Sequence, residues 1–206
     1  MYKQIKLVFH NKGLRSYIEV DLCRQCPRQD DKGCCGYYSP VFYLTDLAYL
    51  IKHNPALIDY IFNIHNITIL DASVTVNNRI DGDSYRCHFH DKSDGCRLDQ
   101  LSRESVCRHF VCPGISWEME NKLINWREFF EHISHYEIEL NNRIADLLLK
   151  KGLTLRDKNK HQELWANLLF YYDNEIKNLP GFFGKLPKKE EVFITRPINY
   201  GRDWPL

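Results

Sequence analysis

CRQCPRQDDKGCC (residues 23–35) and CHFHDKSDGCRLDQLSRESVCRHFVC (residues 87–112) together hold all eight cysteines of the chain. The first segment pairs Cys23 and Cys26 as C-x-x-C, then sets Cys34 and Cys35 side by side. The second spaces Cys87, Cys96, Cys107 and Cys112 by eight, ten and four residues. C-x-x-C is the short spacing that lets two sulfurs converge on one ion, and Pro27, Gly33 and Gly36 supply the turns that such a knuckle needs. Cysteine also packs as a small hydrophobe. Vicinal and C-x-x-C spacing in Gly/Pro turns is a poor pattern for packing and a good one for chelation, so the fold is expected to be organised around the thiols.

Composition narrows the classes. A chain of 206 residues is long enough for one good core without stapling. With a net charge of +1 it lacks the strong basic bias of a nucleic-acid binder, which argues against a nucleic-acid partner. The apolar run from Ile5 to Phe9 is too short for a signal-peptide core and no stretch reaches spanning length, so a soluble cytoplasmic protein with no membrane contact is expected. In that reducing compartment disulfides do not persist. Thiolates on a metal are the alternative.

Working outward, residues Lys3 to Phe9 and Tyr17 to Leu22 alternate as two strands around the turn Asn11-Lys12-Gly13, which delivers the chain into Cys23. Thr45 is a candidate cap for a helix through Ile51, and Pro55 suits the first turn of a second helix. Ile67 to Val76 is β-branched and reads as a strand; with Asp81-Gly82-Asp83 as a turn signal and Tyr85 to Phe89 following, a second hairpin is expected. Ser102 is the candidate cap for a short helix carrying Cys107. From Ser116 onward Leu123, Trp126, Phe130, Ile133, Leu140, Ile144 and Leu147 recur at helical spacing up to Gly152, and Leu164, Leu168, Tyr171, Tyr172, Ile176 and Leu179 resume it up to Pro180. Two amphipathic helices packed as an antiparallel hairpin follow. The Gly/Pro-rich remainder predicts an extended tail with a short strand at Val192 to Thr195 and an aromatic anchor such as Trp204.

The expected fold class is α+β: small hairpins and short helices around a cysteine-rich metal centre, packed against a C-terminal antiparallel helical hairpin. Residues 1–115 would form the cysteine-cluster region and residues 116–206 the helical hairpin and tail, as one compact unit.

The order of the cysteines, with Cys23-x-x-Cys26, Cys34-Cys35, Cys87-His88-Phe89, Gly95-Cys96, Cys107-Arg108-His109-Phe110 and Cys112, resembles the YkgJ-like CxxCxxCC family, described as zinc- or iron-chelating. The match spans roughly residues 23 to 114. Many relatives carry Arg-Pro shortly before the seventh cysteine, where this chain has Arg103-Glu104-Ser105-Val106-Cys107. A similar cluster occurs in flagellin lysine-N-methylases. The resemblance implies that the cysteines bind zinc or iron.

Eight thiolates fill two mononuclear sites, or one iron–sulfur cluster with residues to spare. Side chains of neighbouring residues on an extended backbone point apart, so Cys34 and Cys35 are expected to serve different ions or different iron atoms of one centre, while His88, His90 and His109 stand outside the ligand set. Arg24, Arg97 and Arg108 are candidates to offset thiolate charge, or are ordinary solvated arginines. No P-loop, dinucleotide fingerprint, nucleophile elbow or HExxH occurs. Three functions remain open: a metal-centred binding or electron-transfer protein, a metalloenzyme modifying a protein or small molecule, and a zinc-stabilised module presenting its helices or tail to a protein partner.

Overall fold

The computed structural model describes residues 2–22, 34–91 and 95–198. Strand β1 (Tyr2–His10) lies at the centre of a three-stranded sheet with β2 (Tyr17–Val20) on one side and the late strand β10 (Lys189–Pro197) on the other, both antiparallel. The turn after β1 uses Gly13 at φ +63°, a conformation that a side chain resists. Alternation along β1 buries Ile5, Leu7 and Phe9, whose cross-strand neighbours Ile194, Val192 and Ile18 are buried with them. The strand expected at Val192 to Thr195 is therefore longer and holds a sheet edge. Its partner comes from the opposite end of the chain, beyond the reach of local pattern. Trp204 lies outside the described residues.

A second sheet has the order β3 (Val41–Tyr43), β5 (Ser73–Val76), β4 (Ile67–Ile69). The stretch read as one strand, Ile67 to Val76, folds back on itself, with Leu70 N–H bonded to the Ser73 carbonyl at 2.9 Å and Ile67 opposite Val76. β-branched composition reports strand propensity but is silent about a turn at Leu70-Asp71-Ala72. The next hairpin, β6 (Arg79–Asp81) with β7 (Ser84–Arg86), turns at Gly82 with φ +65°. Its first strand is thus not Ile67 to Val76. A short ladder of β8 (His90–Asp91) and β9 (Gly95–Cys96) follows.

The helices pack beside these sheets. Helix α2 (Leu44–His53) begins one residue before Thr45; Tyr43 occupies the cap position and donates its N–H to Asp46 Oδ2 at 3.2 Å. Thr45 sits inside the first turn, where Asn141 accepts its N–H at 2.9 Å. Helix α3 (Pro55–Asn63) starts on its proline as expected. Three short 3-10 turns between Pro113 and Leu123 precede α5 (Ile124–Leu149), which runs antiparallel to α6 (His161–Lys177). Tyr136 bonds Glu175 at 3.0 Å near one end, and Lys151 bonds Asn167 near the other. The buried stripe of α5 is Trp126, Phe129, Phe130, Ile133, Glu137, Leu140, Ile144 and Leu148, so one carboxylate interrupts an apolar face and Leu148 takes the place expected of Leu147. Buried side chains from both sheets and from α2, α5 and α6 form one core cluster.

Candidate metal centre

Helix α1 (Cys34–Tyr37) is a single helical turn, and Cys34 and Cys35 start it. The premise of an extended backbone fails here: their sulfurs stand 4.0 Å apart, Cys34 exposed and Cys35 half-buried. Gly36 follows, buried, and its carbonyl accepts the Asn78 side-chain amide at 2.6 Å, which moors the turn to the loop before β6. The Cys35 carbonyl accepts the Cys87 N–H, so the two cysteine segments meet along the backbone.

A half-open cavity adjoins this junction. Cys87, Cys96 and Cys107 line it over the rings of Phe42 and Phe89, with Arg103 and Glu104 also on its wall. Three separate local structures deliver the three thiols. Cys87 directly follows β7, and the His90 N–H bonds its carbonyl at 3.0 Å. Cys96 is held opposite His90 in the β8–β9 ladder, after Gly95 turns at φ +75°. Cys107 rides on α4 (Ser105–His109). Cys34, Cys35, Cys87, Cys96 and Cys107 carry free thiols.

The cap of α4 is Glu104, not Ser102, which closes a separate 3-10 turn and donates to Asp99. Glu104 Oε2 accepts the Val106 N–H and Oε1 the Cys107 N–H, each at 2.8 Å. One carboxylate thus both starts the helix and fixes the Cys107 backbone at the cavity. A sequence reading favours serine at such a position because serine is the commoner cap. Glutamate wins here because its longer side chain reaches back while staying buried.

Behind α4 lies an ion network made by residues far apart in sequence. Arg108 is fully buried; its Nη1 donates to the Leu14 and Ser16 carbonyls at 2.9 Å each, and its Nη2 to Glu137 Oε1 at 2.6 Å. Ser105 donates to the other Glu137 oxygen. Arg15 meets Asp46 at 2.6 Å, reaches the carbonyls of Leu101 and Arg103, and stacks over Tyr49 with its guanidinium 4.5 Å from the ring centre. Arg108 is therefore neither a counter-charge aimed at the thiols nor a solvated arginine: it bolts α4 to the first hairpin and to α5. Arg97 is exposed and pairs with Asp91 at 2.9 Å. Arg24 lies outside the described residues.

Electrostatics divide the thiols. The Cys35 thiol, hydrogen-bonded to the Cys34 sulfur, stabilises the Cys34 thiolate and brings Cys34 down to about 7. Sharing that proton, and then burial, pushes Cys35 up. Burial raises Cys87 to about 11, and burial with the neighbouring Glu104 raises Cys107 well above the usual thiol range. The raised thiols hold their protons, so a metal bound here would have to displace them.

Of the predicted ligands, Cys87, Cys96 and Cys107 line this cavity, and the vicinal pair Cys34-Cys35 joins it through the backbone hydrogen bond from the Cys87 N–H to the Cys35 carbonyl. Cys112 does not line it; it is half-buried against the core, three residues past α4, and its carbonyl accepts the Ile115 N–H at 2.9 Å. Cys23 and Cys26 lie outside the described residues. The three histidines have other partners: His88 shares a 3.0 Å hydrogen bond with Tyr60, His90 receives one from Arg86 at 3.2 Å, and His109 receives one from Arg108 at 3.2 Å. Among the described residues no three His, Cys, Asp or Glu side chains are grouped tightly enough to hold one ion as they stand. The donor chemistry fits a thiophilic metal, and binding one requires the thiols to draw together.

Comparison of the chain with protein-family models, curated proteins and solved structures gave no match. Among the described residues, no helix is long and apolar enough to cross a membrane.

Glu104 also sets a pH dependence. Burial, with Asp46 nearby, raises its carboxyl to about 7 from the ordinary 4.5. A raised acid is protonated in the folded chain where the unfolded chain has already lost its proton, so its contribution is complete below pH 4.5 and is lost as pH rises through 7. The shift corresponds to about 3 kcal/mol. Metal-free wild type is expected to lose about that much more unfolding free energy than Glu104→Gln between pH 4.5 and pH 8. Urea titrations at both pH values check this, and parallel losses in the two proteins would refute it.

Proposed function

We propose that this is a metal-binding protein that holds zinc or iron through cysteine thiolates, with binding or electron transfer as its role. One observation carries the reading: cysteines from three separate local structures line a single cavity, and the vicinal pair is hydrogen-bonded through its backbone to the first of them. Ordinary core packing gives no reason to gather thiols from distant segments, whereas a soft cation does. The order of the cysteines, similar to that of the YkgJ-like proteins, points the same way. Among the described residues, Cys34, Cys35, Cys87, Cys96 and Cys107 are the thiols that would hold the metal, with Glu104 and the Arg108 network fixing the position of Cys107. A bound zinc would supply local folding energy to the turns that surround it; an iron–sulfur centre would supply one-electron chemistry.

Protein purified without oxygen is expected to carry zinc or iron in stoichiometric amount, and Cys107→Ser is expected to lose it. Elemental and acid-labile sulfide analysis decide the metal, a brown preparation marking an iron–sulfur centre. Wild-type protein that neither arrives with metal nor takes up zinc or ferrous ion under reducing conditions would end this reading.

A further inference from the structure

The vicinal pair decides more than the presence of a metal. Two thiolates bound tetrahedrally to a zinc-like ion, each about 2.3 Å from it, stand about 3.8 Å apart. The Cys34 and Cys35 sulfurs are 4.0 Å apart, so only a small side-chain adjustment separates them from one edge of such a tetrahedron. The backbone explains how neighbours reach this spacing. On the single turn of α1 successive side chains fan around a helix, whereas on a strand they leave from opposite faces. The turn is also held from both sides, by Asn78 on the Gly36 carbonyl and by the Cys87 N–H on the Cys35 carbonyl.

Resting on the metal-binding reading above, we propose that Cys34 and Cys35 chelate one and the same metal ion as adjacent corners of its tetrahedron. A four-iron cluster filled by four cysteines takes one at each iron. A pair that shares one metal atom is incompatible with that arrangement and calls for a mononuclear thiolate site, or a two-iron cluster in which each iron takes two cysteines. The remaining corners come from thiols outside the pair. Exposure of Cys34 puts this edge of the site at the surface.

The test uses full-length wild type, Cys34→Ser, Cys35→Ser, the double variant and Cys107→Ser, prepared without oxygen, reconstituted with zinc and dialysed against a weak chelator. Zinc is measured per folded chain, with far-ultraviolet circular dichroism recorded for every variant. Each single variant is expected to lose one equivalent, and the double variant to lose that same equivalent and no more. Additive losses, with the double variant losing two equivalents, would show separate ions and overturn the proposal. So would full retention by either single variant. If Cys107→Ser still loses zinc in those cases, only the shared-ion proposal falls. If wild type takes up no zinc and no ferrous ion, the metal-binding reading falls and takes this one with it.

Discussion

Arg108→Met lowers the unfolding free energy by about 3–5 kcal/mol, the loss expected when one partner of a buried ion pair is removed and the other is left behind. Three deficits combine. Glu137 keeps only the Ser105 hydroxyl, Asp46 loses the second guanidinium at 3.8 Å, and the carbonyls of Leu14 and Ser16 lose their charged donor inside the core. Methionine fills much of the space, so the loss is electrostatic rather than a cavity effect. Adding Glu137→Leu removes the stranded charge, and the double variant is expected to recover a large part of the deficit even though it carries two substitutions. Urea or guanidinium midpoints on the four corners of the cycle measure the coupling. A loss under about 1 kcal/mol for Arg108→Met, or additive losses in the double variant, would show that the network does not bear this energy. Because the same guanidinium anchors α4, Arg108→Met is also expected to weaken metal retention at Cys107 while leaving every cysteine in place.

Trp126→Ala is expected to cost about 3–5 kcal/mol, the usual range for deleting a fully buried aromatic side chain. The indole is 1% exposed and lies over Phe9 with ring centres 5.1 Å apart, against Phe129 and Phe130 of its own helix. Its N–H donates to Glu190 on β10 at 2.7 Å. Trp126 therefore joins three parts of the chain: the first strand, the long helix and the last strand. Trp126→Phe keeps most of the apolar contact and loses the hydrogen bond, and about 1–2 kcal/mol is expected for it. Equal losses for Ala and Phe would place the energy in the hydrogen bond and contradict the packing account. Neither variant touches a cysteine, so zinc bound per folded chain should stay at the wild-type value.

Local chemistry was enough for the elements whose signals repeat within a few residues. The stripes of α5 and α6, the glycine that ends the first of them, Pro55 at the start of α3 and the hairpin turning at Gly13 are all readable because each side chain's burial follows from its place in a short period. The cysteine segments were legible as candidate ligands for the same reason, since their spacing is itself the signal. What sequence could not supply is pairing between distant segments. Phe9 opposite Glu190, Arg15 against Asp46, and Arg108 against Glu137 carry no mutual mark in the chain, and Glu137 looks like any polar residue of a solvated helix face until Arg108 and Ser105 are packed onto it. The same limit governed the vicinal cysteines. An extended backbone sends Cys34 and Cys35 apart and a helical turn brings their sulfurs to 4.0 Å. That turn is held by Asn78 and Cys87, more than forty residues further on. Residue types and spacing determined that this chain gathers thiols; the contacts that only the tertiary structure creates decided which of them face one another, because a side chain's direction depends on a backbone that remote partners hold in place.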